Sequence, residues 1–263
     1  MKTIILHELK QNARVLIIWS AVIAALIVMC MIIFPDMHSQ AQGVEEMFAS
    51  MGGFSSAFGL DQISITDPLG YYGIECGALL GLGGAFFAAM IGARMLSKEE
   101  VDQTAEFLLV HPLKRSSFVS GKLAAMVVLI LLFDAVCLVF GIASFALISE
   151  PIEGNGFWLL HVAQLILHLE IACICFGVSA LLKRGSIGFG FGLAALFYFL
   201  NIFANLSSDW EFIRYITPFG YADASNVLPD AAISIEPLIC GFVYIVLSVL
   251  FAYVIYSRKD IAV

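Results

Sequence analysis

Six separate stretches of this chain are apolar for about 20 residues each, near 15–35, 71–93, 123–148, 158–182, 187–206 and 237–256. A helix rises about 1.5 Å per residue, so each stretch is long enough to cross the roughly 30 Å of hydrocarbon in a bilayer. A soluble domain has no use for six such runs. In lipid every backbone N–H and C=O must be satisfied within the protein, and a helix does this inside a single segment. The expected fold class is therefore an all-α membrane protein with six transmembrane helices in a single domain, 1–263. Composition agrees: 61% of residues are apolar and only 13% charged, against about 25% charged in ordinary soluble domains.

Orientation follows from the basic residues, because cytoplasmic connections retain Lys and Arg. Lys2, Lys10 and Arg14 precede the first run; Arg94, Lys98, Lys114, Arg115 and Lys122 sit between the second and third; Lys183 and Arg184 follow the fourth; Arg258 and Lys259 follow the sixth. Of the 13 basic residues only Arg214 falls on the other side, which instead holds most of the acids, among them Asp61, Asp67, Asp223 and Asp230. Both termini are expected in the cytoplasm. The first run is too long for a signal peptide, and no small-x-small cleavage site follows it before Pro35. The formal charge of −8 is a misleading average, because the bases are gathered at a few segment ends and most acids lie elsewhere, and nothing in the pattern resembles a nucleic-acid footprint.

Within the runs, the six cysteines read as small hydrophobes, with no C-x-x-C pair. Gly73, Gly77, Gly81, Ala85, Ala89 and Ala93 recur at intervals of four, and Gly188 and Gly192 repeat the spacing in the fifth run. Such small-residue stripes let another helix approach closely, whether from the same chain or from a second subunit. Three acids lie inside runs: Glu75, Asp134 and Glu170, the last two residues from His168. Each should face protein or water, in structural hydrogen bonding or in an ion or substrate role. His168 and Glu170 project from different faces of a helix, which argues against a joint metal site, so no metal is assigned. The fifth run is bulky and aromatic, with Phe191, Phe197, Tyr198, Phe199 and Phe203. The outer connection 207–236 carries Trp210, Phe212, Tyr215, Phe219 and Tyr221, residue types that anchor at the interface or contact a substrate.

The basic side holds two amphipathic segments. Residues 1–14 place Ile5, Leu9 and Ala13 at helical spacing with Lys2, His7, Lys10 and Arg14 elsewhere, as an interface helix would. Ser97 and Glu100 form an S-x-x-E capping box, predicting a helix over 98–110 that Pro112 ends. Val101, Ala105, Leu108 and Leu109 make its apolar face. Physical reasoning gives here a docking surface without a named partner.

The pattern Glu100-x-x-x-Thr104-x-Glu106-x-Leu108-Leu109-x-x-Pro112-x-x-Arg115 closely resembles the cytoplasmic signature of type-2 ATP-binding-cassette (ABC) transporter permeases. Gln103 stands where that family commonly has Gly. The six-span plan, the leading amphipathic helix and the ending Tyr256-Ser257-Arg258-Lys259-Asp260-Ile261 extend the resemblance over nearly the whole chain. It implies a permease subunit whose short coupling helix docks on a separate ATPase, with two ATPase copies and a second permease chain, identical or related. It implies that the second and fifth spans line the route between permeases, and that ATP and Mg bind the partner. This chain has no phosphate-binding loop: at its only Gly-Lys, Gly121-Lys122, Ser116 and Leu123 replace the required Gly and Ser or Thr. No catalytic residue or bound cofactor is assigned. The resemblance implies export by a multi-pass protein of a bacterial cell membrane, of cargo that in the family ranges from drugs and peptides to lipids, glycans and ions. The bulky aromatic fifth span favours an amphipathic drug, peptide or lipid-like substrate among these. A non-transporting sensor, channel or assembly factor is the alternative, which co-purification of an ATPase would separate from transport.

Overall fold

A computed structural model of the chain describes residues 1–39, 43, 47, 50–98, 115–182 and 187–258. Those residues form helices and connections with no strand, and six of the helices are long and apolar enough to span a membrane. The first, α1 (Lys2–His38), has 37 residues, about 55 Å at 1.5 Å per residue, well beyond the hydrocarbon thickness. The segment expected as an interface helix thus continues into the first span without a break, and Pro35 falls in the last turn.

After a short α2 (Gly53–Ala57), α3 (Pro68–Met95) starts where Asp67 accepts a hydrogen bond from Gly70 N at 2.9 Å and Pro68 supplies a preset first turn. Its second turn, Tyr72–Cys76, is a π turn. The further spans are α4 (Arg115–Leu147), α5 (Gly156–Ser179) and α6 (Ile187–Leu206). A 3-10 segment (Ser208–Tyr215), α7 (Phe219–Ala222) and α8 (Ala224–Val227) then lead to the last span, α9 (Ile235–Arg258).

The spans are not equivalent. In the most apolar window of each, 72% of residues are buried in α3 and 67% in α5, against 39% in α4, 28% in α1, 22% in α6 and 11% in α9. The pair α3–α5 is therefore the centre of the bundle; α1 packs on α4, α6 on α3 and α9 on α5. The outer helices keep large apolar side chains such as Phe242 and Leu247 on their outward faces, which costs nothing in lipid because the tails are as apolar as Leu.

The small residues of α3 explain its central place, but not as one straight seam. Residues four apart turn by about 400°, so a strict four-residue spacing drifts about 40° per step. The stripe accordingly meets different neighbours along its length. A Cβ on Gly73 would collide with Leu228 and Ala224, one on Gly77 would lie 3.6 Å from Leu160, and one on Gly81 would lie 3.0 Å from Gln164 Oε1. Ala89 and Ala93 instead face α6, where a Cβ on Gly190 would come within 2.9 Å of Ala89 O and 3.3 Å of Ala93 Cβ. The line that follows α5 is Gly77, Gly81, Gly84 and Gly92, opposite Leu160, Gln164, His168 and Ala172. In α6, Gly190 is the packing glycine; Gly188 and Gly192 are exposed, and a Cβ on Gly192 would touch nothing within 4 Å. The spacing of the fifth span therefore serves the outer face of this chain.

Candidate functional site

The basic end of the bundle is organised around one acid. Glu8 is only 1% exposed although it lies in the hydrophilic part of α1. It forms an ion pair with Lys98, and its Oε1 lies 3.1 Å from Lys122 Nζ. Lys98 Nζ also donates to Gln11 Oε1 at 2.6 Å, and Lys122 lies over the Phe118 ring, 5.0 Å from its centre. Lys98 ends the described part after α3 and Lys122 stands two turns into α4, so both arms that lead into the segment 99–114 hold the same carboxylate. Glu100, Thr104, Glu106, Leu108, Leu109 and Pro112, and all of the predicted helix 98–110 beyond Lys98, lie outside the described residues. Arg115 is described: its Nη1 donates to Ser257 O at 3.2 Å and Tyr256 O at 3.5 Å, joining the start of α4 to the end of α9.

Inside the bundle the acids separate. Asp134 of α4 reaches His168 of α5, Oδ1 to Nδ1 2.9 Å, while His168 Nε2 lies 3.2 Å from Leu80 O of α3. Gly84 makes room for that ring, since a Cβ there would collide with it. Glu170 turns to the other side of α5 and accepts from Tyr221 Oη at 2.7 Å; Gly241 lets α9 close over it. The expected divergence of His168 and Glu170 is thus present, and each finds its own partner on another element. Glu75 is exposed on the outer surface of this single chain. Among the described residues no three His, Cys, Asp or Glu side chains converge as metal ligands.

Between α3, α5 and α6 lies a cavity of about 60 Å³, walled by the glycine face of α3 (Gly73, Gly77, Gly81), by Gln164, and by Tyr198 and Asn201 of α6. The connections close its far end with Phe58, Phe219 and Asp223. Phe197 is not among its walls; the backbone carbonyl of Phe197 accepts from Thr217 Oγ1 at 2.8 Å. The aromatic run 210–221 also divides: Trp210, Phe212 and Tyr215 are exposed, whereas Phe219 and Tyr221 are buried.

Sequence reasoning missed Glu8, His161 and Gln164. His161 Nε2 is hydrogen-bonded to Tyr72 Oη at 2.9 Å, and Gln164 Nε2 donates to Ala222 O at 2.9 Å. A signal did exist for two of them: His161, Gln164 and His168 fall at intervals of three and four, one polar face on an otherwise apolar helix. Comparison with known protein families matches residues 2–261 to the family described as ABC-2 family transporter protein. Among curated proteins nothing matches the chain.

Proposed function

The chain belongs to the ABC-2 transporter family, and from that premise we propose that it is one of two permease chains, identical or related, driven by two copies of a separate ATPase that carries ATP and Mg. As a multi-pass membrane subunit it brings no ATPase of its own. The assembly exports an amphipathic drug, peptide or lipid-like substrate across a bacterial cell membrane. The basic end, with twelve of the 13 Lys and Arg residues, faces the cytoplasm, and the helix 98–110 docks on the ATPase through Leu108 and Leu109, with Glu100 and Glu106 as polar contacts.

The observation that carries this reading is the shared carboxylate. A push on the segment 99–114 reaches Lys98 on one side and Lys122 on the other, and both act on Glu8. The displacement is thereby passed to α1, α3 and α4 together. The substrate route runs between α3 and α6, where the cavity beside Gly81 supports a space lined by both. Replacing Leu108 and Leu109 by Ser tests the coupling in a complex reconstituted with its ATPase. Insertion should be normal, ATP hydrolysis should persist, and transport should fall at least tenfold, since buried apolar anchors dominate such interfaces. Transport at the wild-type rate would overturn the assignment.

A further inference from the structure

We propose that the cavity between α3, α5 and α6 receives a protonated primary amine, the head group of an amphipathic substrate; this rests on the transport reading and names the substrate class. Gln164 and Asn201 are each 2% exposed and both line the cavity. Their amide orientations are fixed by their partners. Gln164 Nε2 donates to Ala222 O at 2.9 Å and Gly77 O at 3.5 Å, and Asn201 Nδ2 donates to Asp223 Oδ2 at 2.5 Å. Those partners only accept, so the amide nitrogens must face them. The two amide oxygens, Gln164 Oε1 and Asn201 Oδ1, are then left with no hydrogen bond among the described residues. Native interiors rarely leave buried acceptors in that state. Gly81 keeps the space open, because a Cβ there would stand 3.0 Å from Gln164 Oε1.

The charge points the same way. Asp223 also lines the cavity, and its carboxylate accepts from Asn201, Asn205 and Ser225 but pairs with no Lys or Arg among the described residues. Arg214 is turned to Glu211 and Asn205 instead. The two amide oxygens ask for donors, and the carboxylate, already supplied with donors by Asn201, Asn205 and Ser225, asks for positive charge, which disfavours a carboxylate or phosphate head group. A primary ammonium has three N–H donors and no acceptor. The volume of about 60 Å³ is several times the roughly 10–15 Å³ needed to admit one water, enough for the ammonium and its first methylene. Ile74, Ile202 and Tyr198 offer apolar wall for the chain that follows. A separate polar recess of about 390 Å³ in the connections, lined by Asp61, Asp230 and Arg214, has Ser225 in common with the cavity.

The test uses the purified full-length permease in nanodiscs of zwitterionic lipid, with radiolabelled dodecylamine displaced at pH 7 by dodecylamine, dodecyltrimethylammonium, dodecanol or dodecanoate. Dodecylamine should bind about tenfold more tightly than dodecyltrimethylammonium, which has the charge and chain without N–H donors. Asn201→Leu and, separately, Gln164→Leu should weaken the amine about tenfold and leave the trimethylammonium unchanged. If a Leu variant fails to assemble, the head-group ranking of the natural protein decides, together with Gly81→Ala, which should weaken the amine by narrowing the space. Equal binding of amine and trimethylammonium, or binding set by chain alone, would overturn the proposal and leave a cavity that holds only water. Because the ATPase is not in this assay, a flat ranking beside ATP-driven transport of another substrate would sink the amine site alone. A selective amine site in a complex that moves nothing would sink the transport reading alone.

Discussion

The basic end and the interior of the bundle both bury acids, yet they satisfy them differently. Glu8 lies between two ammonium groups contributed by two other helical arms. Asp134 and Glu170 have an imidazole and a phenol as partners, each through a single oxygen, and Asp134 Oδ2 and Glu170 Oε1 make no hydrogen bond among the described residues. Removing one member of a buried ion pair leaves an uncompensated charge, whereas a lost hydrogen bond between helices costs far less. The contrast teaches that charge is used where the arms leading into the segment 99–114 meet. A carboxylate–imidazole pair, which is an ion pair whenever the ring is protonated, and a phenol–carboxylate hydrogen bond are used where α4, α5 and the 219–222 turn must keep their register.

Substitutions break or sharpen this contrast in a definite order. Glu8→Ala leaves Lys98 and Lys122 facing each other's charge in a buried site and should destabilise the chain by about 3–5 kcal/mol, read as a lowered unfolding midpoint in detergent. Asp134→Ala removes one of the two acceptors facing the His168 ring and should cost about 1–3 kcal/mol in the same measurement. A loss equal to that of Glu8→Ala would erase the distinction between the two regions. Glu170→Gln keeps an oxygen for the Tyr221 hydroxyl and should change stability by less than about 1 kcal/mol. If it proves as damaging as Asp134→Ala, the carboxylate itself is needed beside α9.

How far these features could be read in advance depends on the range of the interaction. The six spans were legible because apolar length is a local property, and the described residues form six helices of that kind. Glu8 was not: among Lys2, His7, Lys10 and Arg14 it looks like one more solvated residue, and its burial depends on lysines 90 and 114 positions away in sequence. Asp134 stood out as an acid in an apolar run, but its partner is 34 residues on, beyond any periodicity. Gly188 and Gly192 carried the spacing of a packed seam while Gly190 does the packing. Spacing within one helix says which residues share a face, and only the neighbouring helix says which face is covered. The cavity likewise needed α3, α5 and α6 together.

The drifting stripe of α3 restricts how that helix is able to move. A step of four residues carries each small side chain about 6 Å along the axis and about 40° around it. The rigid motion that brings the stripe onto its own former positions is therefore that of a threaded bolt. A straight slide by the same distance would leave the small residues about 40° away from the seats now filled by Gly77 and Gly81, and a pure rotation would displace them likewise. Advance and turn are geared to each other by where the glycines and alanines stand.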